Sequence, residues 1–208
     1  MYNKDILLNG GDRMIITDKK IRKLVKDGNL ITPFKEELLQ SESYDITIGN
    51  KIVTFKKEIK CLDIANQKEI DDIYLESDLT SEGYVISPKE YVLVSLGETI
   101  KLPDNISAHL RPKTRYTRLG LIVSDQHCNS SYVGHLRIGI FNATEYPIRI
   151  HSGISIAQLV FEELDEVASE EKLYRNKKDA HYHKENGEFR GAKIDDSILD
   201  EIIEEMFK

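Results

Sequence analysis

Residues 111–142 have the sequence RPKTRYTRLGLIVSDQHCNSSYVGHLRIGIFN, which predicts a β hairpin beside a polar site. A basic, hydroxyl-rich loop from Arg111 to Arg118 is followed by an apolar run, Leu119–Val123. The polar segment Ser124–Ser131 then leads into a predicted strand, His135–Phe141. Cationic and hydroxyl groups in this arrangement are typical of a site for an anionic ligand such as a nucleotide. The alternative is a solvated loop between two strands.

Short predicted strands lie on both sides of this segment. Ser43–Asn50 alternates with a period of two and continues into a strand at Lys51–Phe55. Pro, Gly, Asn or Ser residues separate the later strands at intervals of roughly ten residues. These strands are Tyr84–Ile86, Tyr91–Leu96, Ile106–Leu110, Leu121–Val123, Leu136–Phe141, Ile148–Ile150 and Ile156–Phe161. Such spacing predicts a mainly β fold, either a sandwich or a barrel.

The remaining segments define the predicted organisation. A short amphipathic helix is expected from Thr17 or Asp18 to Gly28, and residues 61–82 are expected to form a loop or hairpin insert. After Glu162 the chain is acidic and is expected to leave the core, with a mobile arm at Tyr174–Gly191. The four predicted parts are an N-terminal extension (1–13), a β domain (14–165), a C-terminal arm (166–194) and an amphipathic helix (195–208).

The composition restricts the class of protein. A chain of 208 residues with 40% hydrophobic content fits one domain with a full core. Two distant cysteines, Cys61 and Cys128, allow neither a disulfide framework nor a cysteine-rich zinc site. No apolar run approaches the roughly 20 residues that span a bilayer, so we expect a soluble, cytoplasmic protein without a membrane partner. The net charge of −7 argues against duplex nucleic acid, and residues 111–118 are a local basic exception suited to a small anion.

Common catalytic motifs are absent from the sequence. A zinc-type nucleobase deaminase needs His-x-Glu followed by Pro-Cys-x-x-Cys, and His183-Lys184-Glu185 matches only the first half. An exposed polar pair is the favoured interpretation of His181 and His183. The sequence contains no P-loop, Rossmann fingerprint or Gly-x-Ser-x-Gly elbow. The usual zinc and nucleotide folds are therefore not expected.

Several motifs, taken in order, resemble those of one known family. The motifs are Ser43–Asn50, Lys113–Leu121, Tyr132–His135, Phe141-Asn142, and Gly153 followed by Ile156–Phe161. Asp179–Tyr182 and Gly187 resemble the same family's closing arm. From about Ile15 to Ile194, their order and approximate spacing are similar to those of the dCTP deaminase branch of the dUTPase superfamily.

The resemblance implies a fold, an assembly and a cofactor. It implies a distorted β-barrel or jelly roll of the dUTPase-like type, with short peripheral helices and a C-terminal helix. It further implies a homotrimer with nucleotide sites between neighbouring subunits. A magnesium ion would accompany the phosphates of a bound triphosphate, and no zinc is expected.

The resemblance also assigns roles to residues of the basic loop and the hairpin. Lys113 and Thr114 stand where the family has the Arg and key Ser that bind phosphates and hold the catalytic water, and Arg118 matches the family. Replacing Arg by Lys keeps the charge but loses the bidentate fork. Asn129 occupies an acidic position of the family, and an amide cannot serve as a general base.

This sequence also differs from the family at the position of the proton-carrying residue and at two positions of the arm. The glutamate that moves protons while water attacks cytosine aligns with Gly139, where no side chain remains. In the arm Tyr174 matches, but His181 replaces a phosphate-binding Lys and Glu185 replaces a Gln. These changes together indicate a pocket that no longer performs the family reaction.

Asp125 and His127 in the polar hairpin are candidates for a replacement acid and base. A histidine is suited to proton transfer near neutral pH, and a neighbouring aspartate could orient it. The alternative is that both are exposed hairpin tips.

Two functions therefore remain open. One is a protein that binds a nucleotide without converting it, as a sensor, regulator or sponge. The other is an active dCTP deaminase or dUTP pyrophosphatase with a non-standard acid and base. The predicted catalytic residues are Thr114, Arg118, Asp125 and His127. The predicted ligand-binding residues are Lys113, Thr114, Arg115, Arg118, Asn129, Tyr132, Arg137, Ile138, Gly139, Tyr174, His181 and Glu185.

Overall fold

The computed structural model describes residues 14–28 and 30–194, which contain twelve strands and three α-helices. The helices are α1 (Asp18–Gly28), α2 (Gln67–Asp71) and α3 (Thr114–Thr117). The strands are β1 (Met14–Ile15), β2 (Ile31–Thr32), β3 (Tyr44–Phe55), β4 (Tyr74–Asp78), β5 (Tyr84–Ile86), β6 (Tyr91–Lys101), β7 (Ile106–Pro112), β8 (Leu121–Val123), β9 (Gln126–Cys128), β10 (Val133–Asn142), β11 (Ile148–Ile150) and β12 (Ser155–Glu163). The predicted N-terminal extension and C-terminal amphipathic helix lie outside the described residues.

Strand β3 connects the two halves of a curled sheet. Its first residues pair with β12, with Tyr44 opposite Leu159, and its later residues pair with β6 and β4. The strand order is β8-β10-β6-β3-β12-β7-β9, and β1, β2 and β4 pair alongside β12, β6 and β3. Gly49 allows β3 to approach β6 closely, because a Cβ atom there would lie 2.8 Å from the carbonyl oxygen of Leu96. The sheet therefore curls into a half-barrel around one core.

Apolar side chains at alternate strand positions fill the inside of the curl. Branched and aromatic residues favour such half-buried strands. The fully buried set includes Ile46, Ile52, Val94, Ile138, Ile140, Leu159 and Phe161. The prediction of a mainly β fold with short peripheral helices is confirmed. Within the described residues, no helix is long and apolar enough to cross a membrane.

The segment 61–82 contains more regular structure than predicted. Helix α2 begins after Asn66, whose side chain accepts a hydrogen bond from the backbone N–H of Glu69 and donates one to its carboxylate. Strand β4 then pairs antiparallel with the second half of β3. The helix was missed because five residues are too few to show a helical period. Helix α1, in contrast, begins and ends as predicted.

The C-terminal arm lies against the sheet. Residues 165–172 are exposed, as expected for a chain leaving the core, but Leu173 is buried. Further along, the backbone N–H of His135 donates to the carbonyl oxygen of Glu185 (2.9 Å), and that of Lys184 donates to the carbonyl oxygen of Val133 (2.6 Å). The arm thus adds backbone hydrogen bonds to the first residues of β10.

Ile52 tests the role of β3 as the connection between the two halves. Its side chain is fully buried, so Ile52→Ala leaves a cavity and should lower the free energy of unfolding by about 2–5 kcal/mol. Ile64→Ala is the matched control, since that side chain is 78% exposed and should cost less than about 0.5 kcal/mol. Urea unfolding at one protein concentration measures both, and equal losses would contradict the assignment.

Candidate functional site

A cavity of about 450 Å³ lies between strand β9, the start of β10 and the C-terminal arm. We call it the arm cavity. The strands and their connections contribute Tyr74, Leu93, Gln126, His127, Cys128, Asn129, Tyr132, His135, Leu136 and Arg137, and the arm contributes Tyr174, Tyr182, Glu185, Phe189, Arg190 and Ala192. Its size is within the range of small-molecule and cofactor sites.

Polar contacts hold the arm in the position in which it forms one wall of this cavity. Nη1 of Arg190 donates to the carbonyl oxygens of His181 (2.7 Å) and His183 (2.9 Å), which shapes the turn. The backbone N–H of Ala192 donates to the hydroxyl of Tyr74 on β4 (3.0 Å). Part of the cavity wall therefore comes from segment 61–82. The sequence did not predict strand β4 in this segment.

Aromatic rings form much of the cavity wall. The ring centroids of Tyr132 and Tyr174 lie 5.7 Å apart, and those of Tyr74 and Phe189 lie 4.9 Å apart at nearly a right angle. Phe55 extends the second pair across the outer face of the sheet, with its centroid 5.6 Å from that of Tyr74. Such walls favour a flat, partly apolar ligand group, which stacks or packs edge-on against rings.

Arg137 and Glu185 are the buried charged groups at this wall. Nε of Arg137 lies 3.8 Å from Oε1 of Glu185, and their side chains are 7% and 4% exposed. Oε1 of Glu185 also accepts a hydrogen bond from the backbone N–H of Arg190 (2.8 Å). Burial raises the pKa of Glu185 above its usual value, while that hydrogen bond and the charges of Arg137 and Arg190 lower it. The carboxyl is thus held in a site that disfavours its charge.

Tyr132 and Cys128 at the cavity wall stay neutral near physiological pH. Burial raises the pKa of the Tyr132 phenol far above its usual value, and the hydroxyl donates to the carbonyl oxygen of His135 (3.2 Å). Burial also raises the pKa of the Cys128 thiol to about 12. Because a thiol must ionise to act as a nucleophile, Cys128 serves as an apolar wall residue.

The predicted phosphate-binding loop lies away from the lining of the arm cavity. Lys113 precedes the short helix α3, and its ammonium pairs with the buried carboxylate of Asp45 and lies 3.3 Å from Oγ of Ser155. Thr114, Arg115 and Arg118 are exposed. This half of the predicted site is therefore a separate surface on the described part of the subunit.

The two candidate replacement catalysts occupy different environments. His127 lines the arm cavity, and its ring centroid lies 4.8 Å from that of His109. Asp125 is not among the residues that line the cavity; its side chain is 68% exposed and lies 3.4 Å from Nη1 of Arg111. Asn129 lines the cavity beside His127. The structure thus places one member of the suggested acid–base pair at the cavity.

The space beside Gly139 is filled by another side chain. A Cβ atom at this position would lie 1.9 Å from the hydroxyl oxygen of Tyr91 and 2.4 Å from Cζ of the same ring. The neighbouring Ile138 faces the hydrophobic core, so only its backbone could meet a ligand. A side chain at position 139 could therefore project from β10 only if Tyr91 moved.

Two of the three arm residues that were predicted to bind the ligand lie at the cavity. Tyr174 and Glu185 line the cavity, whereas His181 is not among the lining residues and contributes its carbonyl to Arg190. Sequence reasoning missed Tyr74, Tyr182, Phe189 and Arg190. Tyr74, Tyr182 and Phe189 could have been recognised only as aromatic residues within otherwise polar stretches of the sequence. Arg190 carried no signal, because its partners are backbone carbonyls.

Comparisons with known proteins identify the family of this chain. The dCTP deaminase-like family matches residues 15–164. The chain belongs to that family. A protein from Hydrogenobaculum sp. described as "dCTP deaminase, dUMP-forming" is 35% identical over 158 residues, 75% of this chain and 86% of that protein. A protein of the same description from Sulfurihydrogenibium sp. is 32% identical over 166 residues, 79% of this chain and 91% of that protein.

A solved structure supports the fold. The 2′-deoxycytidine 5′-triphosphate deaminase of Agrobacterium tumefaciens has a TM-score of 0.59 with this chain at 23% identity. The match covers 73% of this chain and 48% of that protein, so this chain spans about half of its length. The prediction of the dCTP deaminase family is confirmed, as is the mainly β fold, which the Agrobacterium tumefaciens structure shares. The family match ends at residue 164, before the arm residues of the cavity.

Because Tyr91 occupies the space beside Gly139, substitutions at these two positions should have non-additive effects on the free energy of unfolding. Gly139→Ala should lower the free energy of unfolding by about 1–3 kcal/mol, because the added methyl group overlaps the Tyr91 hydroxyl. The same change should cost much less in a Tyr91→Ala background. Urea unfolding of the four variants in a double-mutant cycle measures the coupling. Gly28→Ala is the control, since a Cβ there meets no atom within 4 Å; additive effects would contradict the overlap.

Burial of Glu185 predicts a pH-dependent stability. Since its pKa is raised in the folded state, its favourable contribution is complete below pH 4.5, the usual value, and is lost as pH rises through the folded-state pKa. The difference between the unfolding free energies of the wild type and of Glu185→Gln should therefore fall as the pH rises above 4.5. Glu145→Gln is the control, with a side chain 84% exposed. A difference constant with pH would refute the prediction.

Proposed function

We propose that this protein binds a deoxynucleotide and has lost the ordinary deamination chemistry of its family. The observation that carries the proposal is the packing of Tyr91 into the space beside Gly139. The family resemblance places the proton-moving glutamate at that position. Here glycine provides no carboxylate, and the hydroxyl end of Tyr91 occupies the space beside it. Losing a general acid or base typically costs about 100- to 10,000-fold in rate.

Two further features support lost or altered catalysis. Asn129 lines the arm cavity with an amide, which lacks the basicity of a carboxylate. Lys113 is paired with Asp45, so its charge is already partly neutralised before any phosphate arrives. Recognition is less affected than catalysis by these changes, because hydrogen-bonding and stacking groups remain while the two acidic positions of the family are occupied by Asn129 and Gly139.

The cavity itself supports binding. Tyr132, Tyr174 and Phe189 provide aromatic surface for a base or sugar, and Asn129 and Arg137 provide hydrogen-bonding groups. A binding protein of this kind would act as a sensor, a regulator or a sponge for its nucleotide.

We further propose that the complete site forms between subunits of a homotrimer. Thr114, Arg115 and Arg118 are exposed on a surface outside the arm cavity, where they are available to the phosphates of a nucleotide held by a neighbouring copy. In residues 14–28 and 30–194, no group of three or more His, Cys, Asp or Glu side chains is placed to hold a metal ion. The proposed magnesium ion, implied by the family resemblance, accompanies the phosphates of a bound triphosphate.

The second candidate function is an active deaminase with a non-standard acid and base. The names of the relatives favour it, since proteins 32–35% identical to this chain are described as dUMP-forming dCTP deaminases. His127 at the cavity wall is the group best placed to carry a proton in that case.

Parallel assays of turnover and binding test the proposal. The purified chain should form uracil nucleotides from dCTP at least about 100-fold more slowly than the Hydrogenobaculum relative under the same conditions. A nucleotide at 100 times its dissociation constant should nevertheless stabilise the fold by about 2.7 kcal/mol in thermal denaturation. Chromatography of the reaction mixture detects the product.

The results of these assays distinguish the binding protein from the active enzyme. Turnover that approaches the relative's rate, and that Thr114→Ala and Asp125→Asn abolish, would establish the enzyme and refute the proposal. Absence of stabilisation by any deoxynucleotide would refute both functions.

A further inference from the structure

A row of apolar side chains crosses four neighbouring strands on the outer face of the sheet. Strand pairing places Ile122 on β8 opposite Phe141 on β10, and Phe141 opposite Tyr91 on β6. Phe55 on β3 continues the row, with its ring centroid 5.7 Å from that of Tyr91. We call these four residues the outer stripe. Tyr91 and Ile122 are 43% and 58% exposed, and a contiguous exposed apolar row is typical of a surface that another segment covers.

The described part of the chain ends beside this stripe. The ring centroid of Phe55 lies 5.6 Å from that of Tyr74, and the Tyr74 hydroxyl accepts a hydrogen bond from the backbone N–H of Ala192 (3.0 Å). Two residues later, the backbone N–H of Ile194 donates to Oε1 of Gln67 on α2 (2.9 Å). The segment that follows Ile194 therefore starts at the Phe55 end of the outer stripe.

The sequence of that segment, residues 195–208, supplies an apolar face of matching length. Its apolar residues recur at helical spacing and predict an amphipathic helix; they are Ile198, Leu199, Ile202, Ile203 and Met206. From Ile198 to Met206 such a helix advances about 12 Å, at about 1.5 Å per residue. The four strands of the stripe are neighbours in the sheet, and their three spacings amount to about 14 Å.

Charge favours the same placement. Residues 195–208 include six acidic residues and one basic residue, and the segment begins with Asp195 and Asp196. Lys56 and Lys57 directly follow β3 and are exposed. The backbone N–H of Lys56 donates to the carbonyl oxygen of Ile73 (2.9 Å), which places these lysines on the side of α2 and β4, where the described chain ends. Opposite charges at this end would fix the direction in which the segment enters the stripe.

We propose that residues 195–208 pack their apolar face on the outer stripe of the same chain. The packing does not require a bound nucleotide, so it is independent of the proposed function. It would cover Tyr91, whose hydroxyl end occupies the space beside Gly139. The segment would thereby hold Tyr91 in that position.

A single introduced tryptophan tests the packing, because the chain contains no tryptophan of its own. In the full chain, Ile122→Trp places the reporter on the stripe, and Val167→Trp places it on a side chain that is 52% exposed and outside the stripe. The emission maximum of Ile122→Trp should lie at a shorter wavelength than that of Val167→Trp, since a covered indole is less hydrated. Adding Ile202→Asp should shift the Ile122→Trp maximum to longer wavelength. Adding Glu204→Gln, which is on the opposite face of the predicted helix, should not.

The other possible occupants give different results. Equal emission from Ile122→Trp and Val167→Trp overturns the proposal, because the stripe is then uncovered. Short-wavelength emission that Ile202→Asp does not change also overturns it, because another surface, such as that of a second copy, then covers the stripe. Refolding the Ile122→Trp, Ile202→Asp chain with excess wild-type chain distinguishes the source of the segment. Recovery of short-wavelength emission assigns the segment to a neighbouring copy and overturns packing within one chain, whereas no recovery supports it.

Hydrogen exchange of the full chain tests the same packing without an added tryptophan. The backbone amides of residues 195–208 should exchange more slowly than those of an unstructured peptide in the wild type. Ile122→Asp should remove this protection, and Val167→Asp should leave it unchanged. Unprotected amides in the wild type, or protection that survives Ile122→Asp, would overturn the proposal.

Discussion

The two-residue period of β10 is the constraint on which the candidate site depends. Leu136, Ile138 and Ile140 are buried in the core, so the residues between them point to the outer face of the sheet. Pairing with β6, in which Ile138 lies opposite Val94, fixes this register. A slip of one residue would bury Arg137 in the core and expose the isoleucines. Hydrophobic packing on one face therefore determines that Arg137 and Gly139 share the other.

Sequence patterns predicted the parts of the fold that depend on local periodicity. Helix α1 and most of the sheet show a clear period, and the order of motifs was sufficient to predict the family. Helix α2 and strand β4 are short and lie in a charged stretch, so neither shows a period. The position of the arm against the sheet could not be predicted, because it depends on contacts such as Tyr74 with Phe189 between residues far apart in the sequence.

Many residues of the candidate site could be predicted from the sequence, but their spatial arrangement could not. Asn129, Tyr132, Arg137, Tyr174 and Glu185 were all expected to bind the ligand, and they line one cavity. The loop at 113–118 was assigned to the same site, yet within the described subunit it forms a separate surface. A sequence motif indicates the kind of chemistry a residue supports, whereas the distance between motifs is a property of the folded sheet. The packing of Tyr91 against Gly139 is a side-chain contact of the same non-local kind.

The combination of Arg137 and Gly139 is consistent with recognition without proton transfer. Residues two apart on a strand project from the same face, with a separation of roughly 7 Å. A glutamate at position 139 would therefore lie near the Arg137 guanidinium, and a nearby positive charge lowers the pKa of a carboxyl. A general acid or base works best with a pKa close to the operating pH, so that shift would weaken it as a proton carrier. With glycine at position 139, the carboxylates near Arg137 are those of Glu76 and Glu185, which come from β4 and from the arm and not from its own strand.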